Sequence, residues 1–191
     1  MERAFINCRF IANQDTIYTY GKGQRQYFRN CWIEGTTDFI FGASTCWFEE
    51  CTILSKKNSY VTAASTPEWE KFGYVFNNCR LIHNEDAVKV YLGRPWRSFA
   101  KTVFINCELG DHIVREGWHN WDKPYAEKTT FYAEYGSKGP GAASKAERVK
   151  WSHFLREKDL VEYTPENVLQ CGSEQDKNGK DIRVEWFFKV F

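Results

Sequence analysis

No apolar run in this 191-residue chain approaches the length of a bilayer span, and its charges nearly cancel at +1. The first absence excludes a membrane-spanning helix. The second removes any electrostatic case for nucleic acid or an anionic membrane surface as a partner. Histidine is scarce, at 4 residues, and no two cysteines have the CxxC spacing of a zinc site, so neither a metal nor another cofactor is expected. The opening MERAFINCRF lacks the basic start and apolar segment of a signal peptide. Aromatic residues are plentiful: 8 Trp, 10 Tyr and 15 Phe, enough for a core and for platforms that stack against sugar rings. The length suits one domain with a sizeable core, and a monomer is expected.

The cysteines are informative through their surroundings. FINCRF (5–10), FRNCWI (28–33), FEECTI (48–53), FNNCRL (76–81) and FINCEL (104–109) each read Phe, any residue, Asn or Glu, Cys, any residue, apolar. Each unit alternates apolar and polar residues and ends in turn formers, as a strand should. Five such strands with irregular insertions predict an all-β solenoid whose coils stack as a parallel β-helix. Cys8, Cys31, Cys51, Cys79 and Cys107 would then form an inward ladder of packed thiols, about 4.8 Å apart. Cys46 and Cys171 fall outside it.

Asp38 poses a question, because its carboxylate sits in CWIEGTTDFIFGAST against Phe39, Ile40 and Phe41. A charge in apolar surroundings is costly unless paired, solvated or neutralised. A turn, a structural partner and a chemical role all remain open for it. The ladder adds a constraint. Asp38 lies seven residues after Cys31, and Asp15 seven after Cys8, which places both carboxylates at one phase of adjacent coils. Like charges so close do not ionise together, so one acts as nucleophile or base while the other keeps a proton to donate. Asp86 has the same offset from Cys79, but its longer coil makes the phase unreliable, and it reads as surface.

Several stretches together resemble one family: QDTIY (14–18), GTTDFIFG (35–42), YLGRPW (91–96), EGWHNW (116–121) and FYAEYGSKGPGA (131–142). They are similar to the pectin methylesterases, carbohydrate esterases that demethylate polygalacturonate, and occur in the expected order from about Arg3 to Leu169. The resemblance implies a right-handed parallel β-helix and metal-free hydrolysis of methylated pectin, in an extracellular or periplasmic setting. Asp38 would be the nucleophile, and Asp15 the general acid and then base. Gln14 would donate to the oxyanion. Arg94 would hold Asp38 ionised and oriented, and Trp96 would stack on a galacturonate ring. Tyr18 and Phe39 are expected to line the cleft. Taken singly, Arg94-Pro95 equally suits a strand end paired with any acid, Gln14 a buried backbone partner, and Trp96, Trp118 and Trp121 solenoid capping or loop packing.

The resemblance also implies a β-helix incomplete at its N-terminal end, because family members have coils before the FINCRF strand. One of those supplies a second oxyanion glutamine, whose loss would cost about 10²–10³ in turnover. Residues 1–169 are expected to form the C-terminal part of the β-helix domain, with 170–191 an appended tail containing an Asn-Gly turn before an apolar strand. The glycines of GKGQRQ (21–26) predict a longer loop between the two acids. RVKW (148–151) reads as strand-like, and Thr164-Pro165 as the start of a last helical turn. Competing readings are a pectin-binding β-helix without hydrolysis and a polygalacturonase-type glycosidase with its own acid pair. A lyase is disfavoured, for want of a calcium-binding acid cluster.

Overall fold

A computed structural model describes residues 2–169, together with the backbone of 173–175 and 181–183. The first coil holds β1 (Glu2–Ile6), β2 (Arg9–Ile11) and β3 (Ile17–Thr19); the second holds β4 (Arg25–Arg29), β5 (Trp32–Gly35) and β6 (Ile40–Gly42). The third holds β7 (Thr45–Glu49), β8 (Thr52–Ser55) and β9 (Tyr60–Ala64), and the fourth β10 (Tyr74–Asn77), β11 (Arg80–His83) and β12 (Tyr91–Gly93). The stack continues through β13 (Lys101–Ile105), β14 (Glu108–Leu109), β15 (Phe131–Tyr135) and β16 (His153–Phe154). Corresponding strands pair in parallel and make three walls: β1-β4-β7-β10-β13-β15-β16, β2-β5-β8-β11-β14 and β3-β6-β9-β12. This is the parallel β-helix that the repeats predict.

The repeat unit explains the coil. Asn7, Asn30, Glu50, Asn78 and Asn106 all have φ between 51° and 55°, the left-handed conformation that asparagine tolerates better than most residues. Each turns the chain from the first wall to the second, and the cysteine that follows is thrown inward. Cys31, Cys51, Cys79 and Cys107 are buried and Cys8 is half-buried, all as free thiols. Each thiol from Cys31 on donates to the carbonyl of a phenylalanine in the coil before: Cys31 to Phe5 (3.4 Å), Cys51 to Phe28 (3.7 Å), Cys79 to Phe48 (3.4 Å) and Cys107 to Phe76 (3.5 Å). Beside them the rings of Phe5, Phe28, Phe48, Phe76 and Phe104 stack at centroid spacings of 4.3–4.9 Å. Burial of each such ring contributes about 2–3 kcal/mol, and the ring contacts add to that. Cys46 is buried in the same core.

Two local expectations are corrected. RVKW is not a strand: Arg148 turns inward to an ion pair with Glu134, and the strand on this wall is β16. The loop between the acids, residues 20–24, is longer than the matching connection of the next coil, residues 43–44, as the glycines of GKGQRQ predict, although Arg25 and Gln26 of that stretch already belong to β4 and are buried. Phe39, expected in the cleft, is wholly buried in the core. Strand alternation fails beside it, because Asp38 sits at φ 52°. Phe39 and Ile40 therefore both face inward, and Phe41 is the ring that emerges.

After β16 come a 3-10 helix (Glu157–Glu162) and the single turn α1 (Pro165–Val168), capped by the Thr164 hydroxyl, which accepts from the Asn167 amide. In the tail, β17 (Ser173–Gln175) and β18 (Asp181–Arg183) pair antiparallel. The Asn-Gly turn and the apolar run beyond residue 183 lie outside the described residues. No described helix is long and apolar enough to cross a membrane.

Candidate active site

The third wall carries the acids. Ile17 pairs with Ile40 across β3 and β6, so Asp15 and Asp38, each two residues earlier, occupy the same step of neighbouring coils. Continuing the register through β6 and β9, where Ile40 meets Thr62, places Tyr60 at that step of the third coil; Tyr91 follows in the fourth. Asp15 and Asp38 both take left-handed backbone, at φ 59° and 52°. The neighbouring coil anchors each through its amide: Asp15 N donates to Thr37 O (3.1 Å) and Asp38 N to Tyr60 O (2.9 Å). Aspartate at such a position is a turn residue by conformation. Here that conformation lifts the carboxylate off an otherwise apolar stretch.

Asp38 is buried, at 6% exposure, and Arg94 supplies its counter-charge. Arg94 Nε donates to Oδ1 (3.0 Å) and Nη2 to Oδ2 (2.8 Å), a two-pronged pair that fixes the carboxylate plane. The guanidinium lies between two rings, 3.9 Å above Tyr60 and 3.6 Å from Trp121. Arg94 follows Gly93, where a Cβ would meet Thr62 Oγ1 at 2.1 Å; only glycine lets β12 approach β9 closely enough to seat the arginine. Asp15 is exposed. Its carboxyl is pushed above the ordinary aspartate range by partial burial and, to a lesser extent, by the charge of Asp38.

Gln14, Asp15, Asp38, Phe41, Arg94, Trp96 and Trp121 line one cleft of about 240 Å³ together with Ala63. Trp96 belongs also to an adjoining cleft of about 650 Å³, which Tyr18 and the exposed Tyr20 and Trp69 help to wall. Tyr18 stacks on Phe41 at 4.6 Å, and Trp96 meets both rings, at 6.5 and 5.8 Å. Five expected residues, Gln14, Asp15, Asp38, Arg94 and Trp96, thus converge on one cleft and Tyr18 on the next, while Phe39 takes no part. Trp118 is core, packed 4.3 Å from Tyr132.

Sequence reasoning assigned no place in the site to Tyr60 or Phe41, and gave Trp121 only a reading as solenoid capping or loop packing. The register that aligned the acids also places Tyr60 above them and was the available signal. Trp121 carried only its place in EGWHNW. Trp121 and Asp122 both have positive φ, 58° and 53°, which a bulky residue adopts only when its surroundings compel it. The compulsion comes from side chains that accept from their amides: His119 Nδ1 from Trp121 N (2.9 Å) and Asn120 Oδ1 from Asp122 N (2.9 Å). Lys123 stands 4.5 Å from the indole and donates to the carbonyls of Pro95 and Trp96, tying this strained turn to the YLGRPW segment. A cation-ring contact of this kind is worth about 1–2 kcal/mol. Trp121→Ala is therefore expected to lower the kcat of any reaction that Asp38 carries about tenfold, more than it changes KM, with the fold intact by circular dichroism.

Fold and cleft together define a class: a parallel β-helix with an acid pair set in an aromatic-walled cleft. Within it, this chain belongs to the Pectinesterase family, whose model matches residues 2–172. It is 39% identical over 183 residues to Pectinesterase 31 of Arabidopsis thaliana, covering 95% of this chain and 56% of that protein. Against a larger relative, probable pectinesterase/pectinesterase inhibitor 21 of the same plant, it is 37% identical and spans 27% of its length. The chain thus spans from about a quarter to somewhat over half of these curated relatives. Among solved structures, pectin methylesterase from carrot superposes with a TM-score of 0.80 at 31% identity, covering 87% of this chain and 56% of that one. A pectin methylesterase in complex with a hexasaccharide gives 0.72 at 30% identity over 87% of this chain and 56% of its own.

Proposed function

We propose that this chain hydrolyses the methyl esters of galacturonate residues in pectin, releasing methanol, with Asp38 as nucleophile and Asp15 as general acid and base. The observation that carries this is the pairing of a buried, arginine-braced Asp38 with a register-matched, exposed Asp15 whose carboxyl is biased towards its protonated form. Family membership and a relative solved with a hexasaccharide support the substrate class. An extracellular or periplasmic setting goes with that substrate.

The chemistry runs in two steps. An Asp38 oxygen attacks the ester carbonyl carbon, and the negative charge that develops on the carbonyl oxygen meets the Gln14 amide as donor. The tetrahedral species collapses, the carbon–methoxy bond breaks, and Asp15 delivers its proton to the departing oxygen, giving methanol and an acyl-Asp38 anhydride. Asp15, now a carboxylate, takes a proton from water as that water attacks the anhydride. Asp38 is expelled as its carboxylate, Asp15 is protonated again, and the polymer leaves as a carboxylic acid that gives its remaining proton to solvent. Arg94 holds the attacking oxygen in place, while Trp96, Phe41 and Tyr18 offer ring faces to the sugars on either side.

The assay is methanol release from highly methylated pectin, run beside a reducing-end assay. Methanol without new chain ends is expected. New reducing ends would favour a glycosidase, and pectin retention with neither product a binding protein. The pH dependence has a definite sign. Acylation needs protonated Asp15, and a raised pKa carries that form to higher pH. The alkaline decline of single-turnover acylation should therefore fall at a higher pH than an unperturbed aspartate would give. Asp15→Asn should lower turnover about 10²–10⁴-fold and abolish that alkaline decline. A decline unchanged in the variant would assign it to another group.

A further inference from the structure

The second wall carries a cluster that the ester chemistry does not use. β11 ends at His83, and the register that pairs Arg80 with Glu108 and Leu81 with Leu109 places Asp111 one coil above it, with His112 next in the chain. His83 Nε2 and Asp111 Oδ1 are 2.8 Å apart. The rings of His83 and His112 lie 4.5 Å apart. His112 is 99% buried, with an exposure of 1%, yet neither of its ring nitrogens has a hydrogen-bond partner. A neutral imidazole always carries one N–H and one lone pair, and leaving both buried and unmatched costs about 1–3 kcal/mol each. The hydroxyl of Ser55, which pairs with His83 across β8 and β11, is a second buried orphan on this column. The backbone that carries the imidazole is held in the stack: Val90 N donates to His112 O at 2.8 Å.

We infer that His83, Asp111 and His112 form a binding site for a divalent transition-metal ion of the zinc class. One ligand atom from each lies within 4.8 Å of the others. Tetrahedral bonds of 2.0–2.1 Å place ligand atoms roughly 3.3 Å apart, so closure needs small side-chain rotations. Asp111, whose side chain is 73% exposed, is free to supply them. Two imidazoles and one carboxylate make a nitrogen-rich donor set that suits zinc and its neighbours, whereas calcium and magnesium take oxygen ligands. An ion there would join the end of β11 to the turn after β14, clipping two successive coils on a wall that does not carry Asp15 and Asp38. Four histidines in the whole chain hide such a site from a spacing count, because the coil register, not sequence proximity, brings residue 83 to residue 112.

The test uses the intact chain, stripped with a chelator and titrated with zinc against a chromophoric competitor. One saturable equivalent is expected, together with a rise in the thermal midpoint that EDTA reverses. Asp111→Asn and His83→Gln, both at partly exposed side chains, should weaken zinc by more than the 10–100-fold that even an outer-shell partner commands. The zinc-free midpoint and methanol release should stay unchanged in both. Cobalt(II) in the unsubstituted chain supplies a readout that needs no variant: a visible absorption band from a low-coordinate nitrogen and oxygen site, without thiolate charge-transfer bands. No saturable zinc binding at about 100 µM, equal binding in both variants, or a cobalt spectrum dominated by thiolate would each overturn the assignment.

Discussion

Asp38→Asn is expected to abolish methanol release, by about 10⁴-fold or more, while leaving a folded chain. In the mechanism proposed above, the amide has no carboxylate oxygen to attack with, so the covalent step loses its nucleophile. The fold should survive for reasons visible at the site. Asparagine is among the residues that best tolerate the left-handed backbone this position requires, φ 52°. The amide oxygen still accepts one of the two hydrogen bonds from Arg94. The guanidinium keeps its place between Tyr60 and Trp121, with a side-chain exposure of 18% that lets water compensate for the missing charge. The structural cost is expected at about 1–3 kcal/mol, read as a modest fall in thermal midpoint. Activity within tenfold of the unsubstituted chain, with Asp15→Asn inactive, would reverse the two assigned roles.

How much of this was legible in the residues follows from what a solenoid does to a sequence. Stacking turns phase along the chain into a column in space, so the Phe-x-Asn-Cys units sufficed to predict the walls, and counting seven from Cys8 and Cys31 sufficed to align Asp15 with Asp38. Counting fails wherever a coil carries an insertion or a residue leaves the strand conformation. Arg94 lies 56 residues beyond Asp38, past a long insertion, and only the likeness of YLGRPW to a known family pointed to it. Phe39 was placed in the cleft by the family resemblance alone, and the left-handed residue before it, Asp38 at φ 52°, turns it into the core instead. RVKW was misread because Arg148, polar and long, is drawn inside by a carboxylate that no local pattern announces. Trp121 depends on a strained turn whose anchors, His119 and Asn120, have side-chain roles that no apolar period encodes.

The largest expected effect on stability lies away from the acids, at Arg148 and Glu134. Their side chains are 0% and 2% exposed. Arg148 meets the carboxylate with two bonds, Nε to Oε1 at 2.6 Å and Nη2 to Oε2 at 3.0 Å. It also donates to the carbonyls of Val114, Arg115 and Gly141 at 3.0–3.1 Å. Arg148→Met leaves Glu134 charged and unpaired in the interior, which costs about 3–5 kcal/mol, or about 10 °C of thermal midpoint for a chain of this size. Adding Glu134→Leu removes the stranded charge, so the double variant should recover part of that loss. It should not recover all of it, because the three carbonyls still lack their donor. That residue of the effect has a functional reading. Val114 and Arg115 open the segment that runs through Gly117 to the strained turn at Trp121, and a Cβ at Gly117 would meet Arg148 Cδ at 2.7 Å. With the arginine gone, the segment that leads to the indole bracing Arg94 loses its anchors at Val114 and Arg115. The double variant is therefore expected to regain stability yet keep a reduced kcat, close to that of Trp121→Ala, measured by methanol release on chains matched for folded fraction. Full recovery of both would mean that the segment is held by its own hydrogen bonds and that the buried pair serves stability alone.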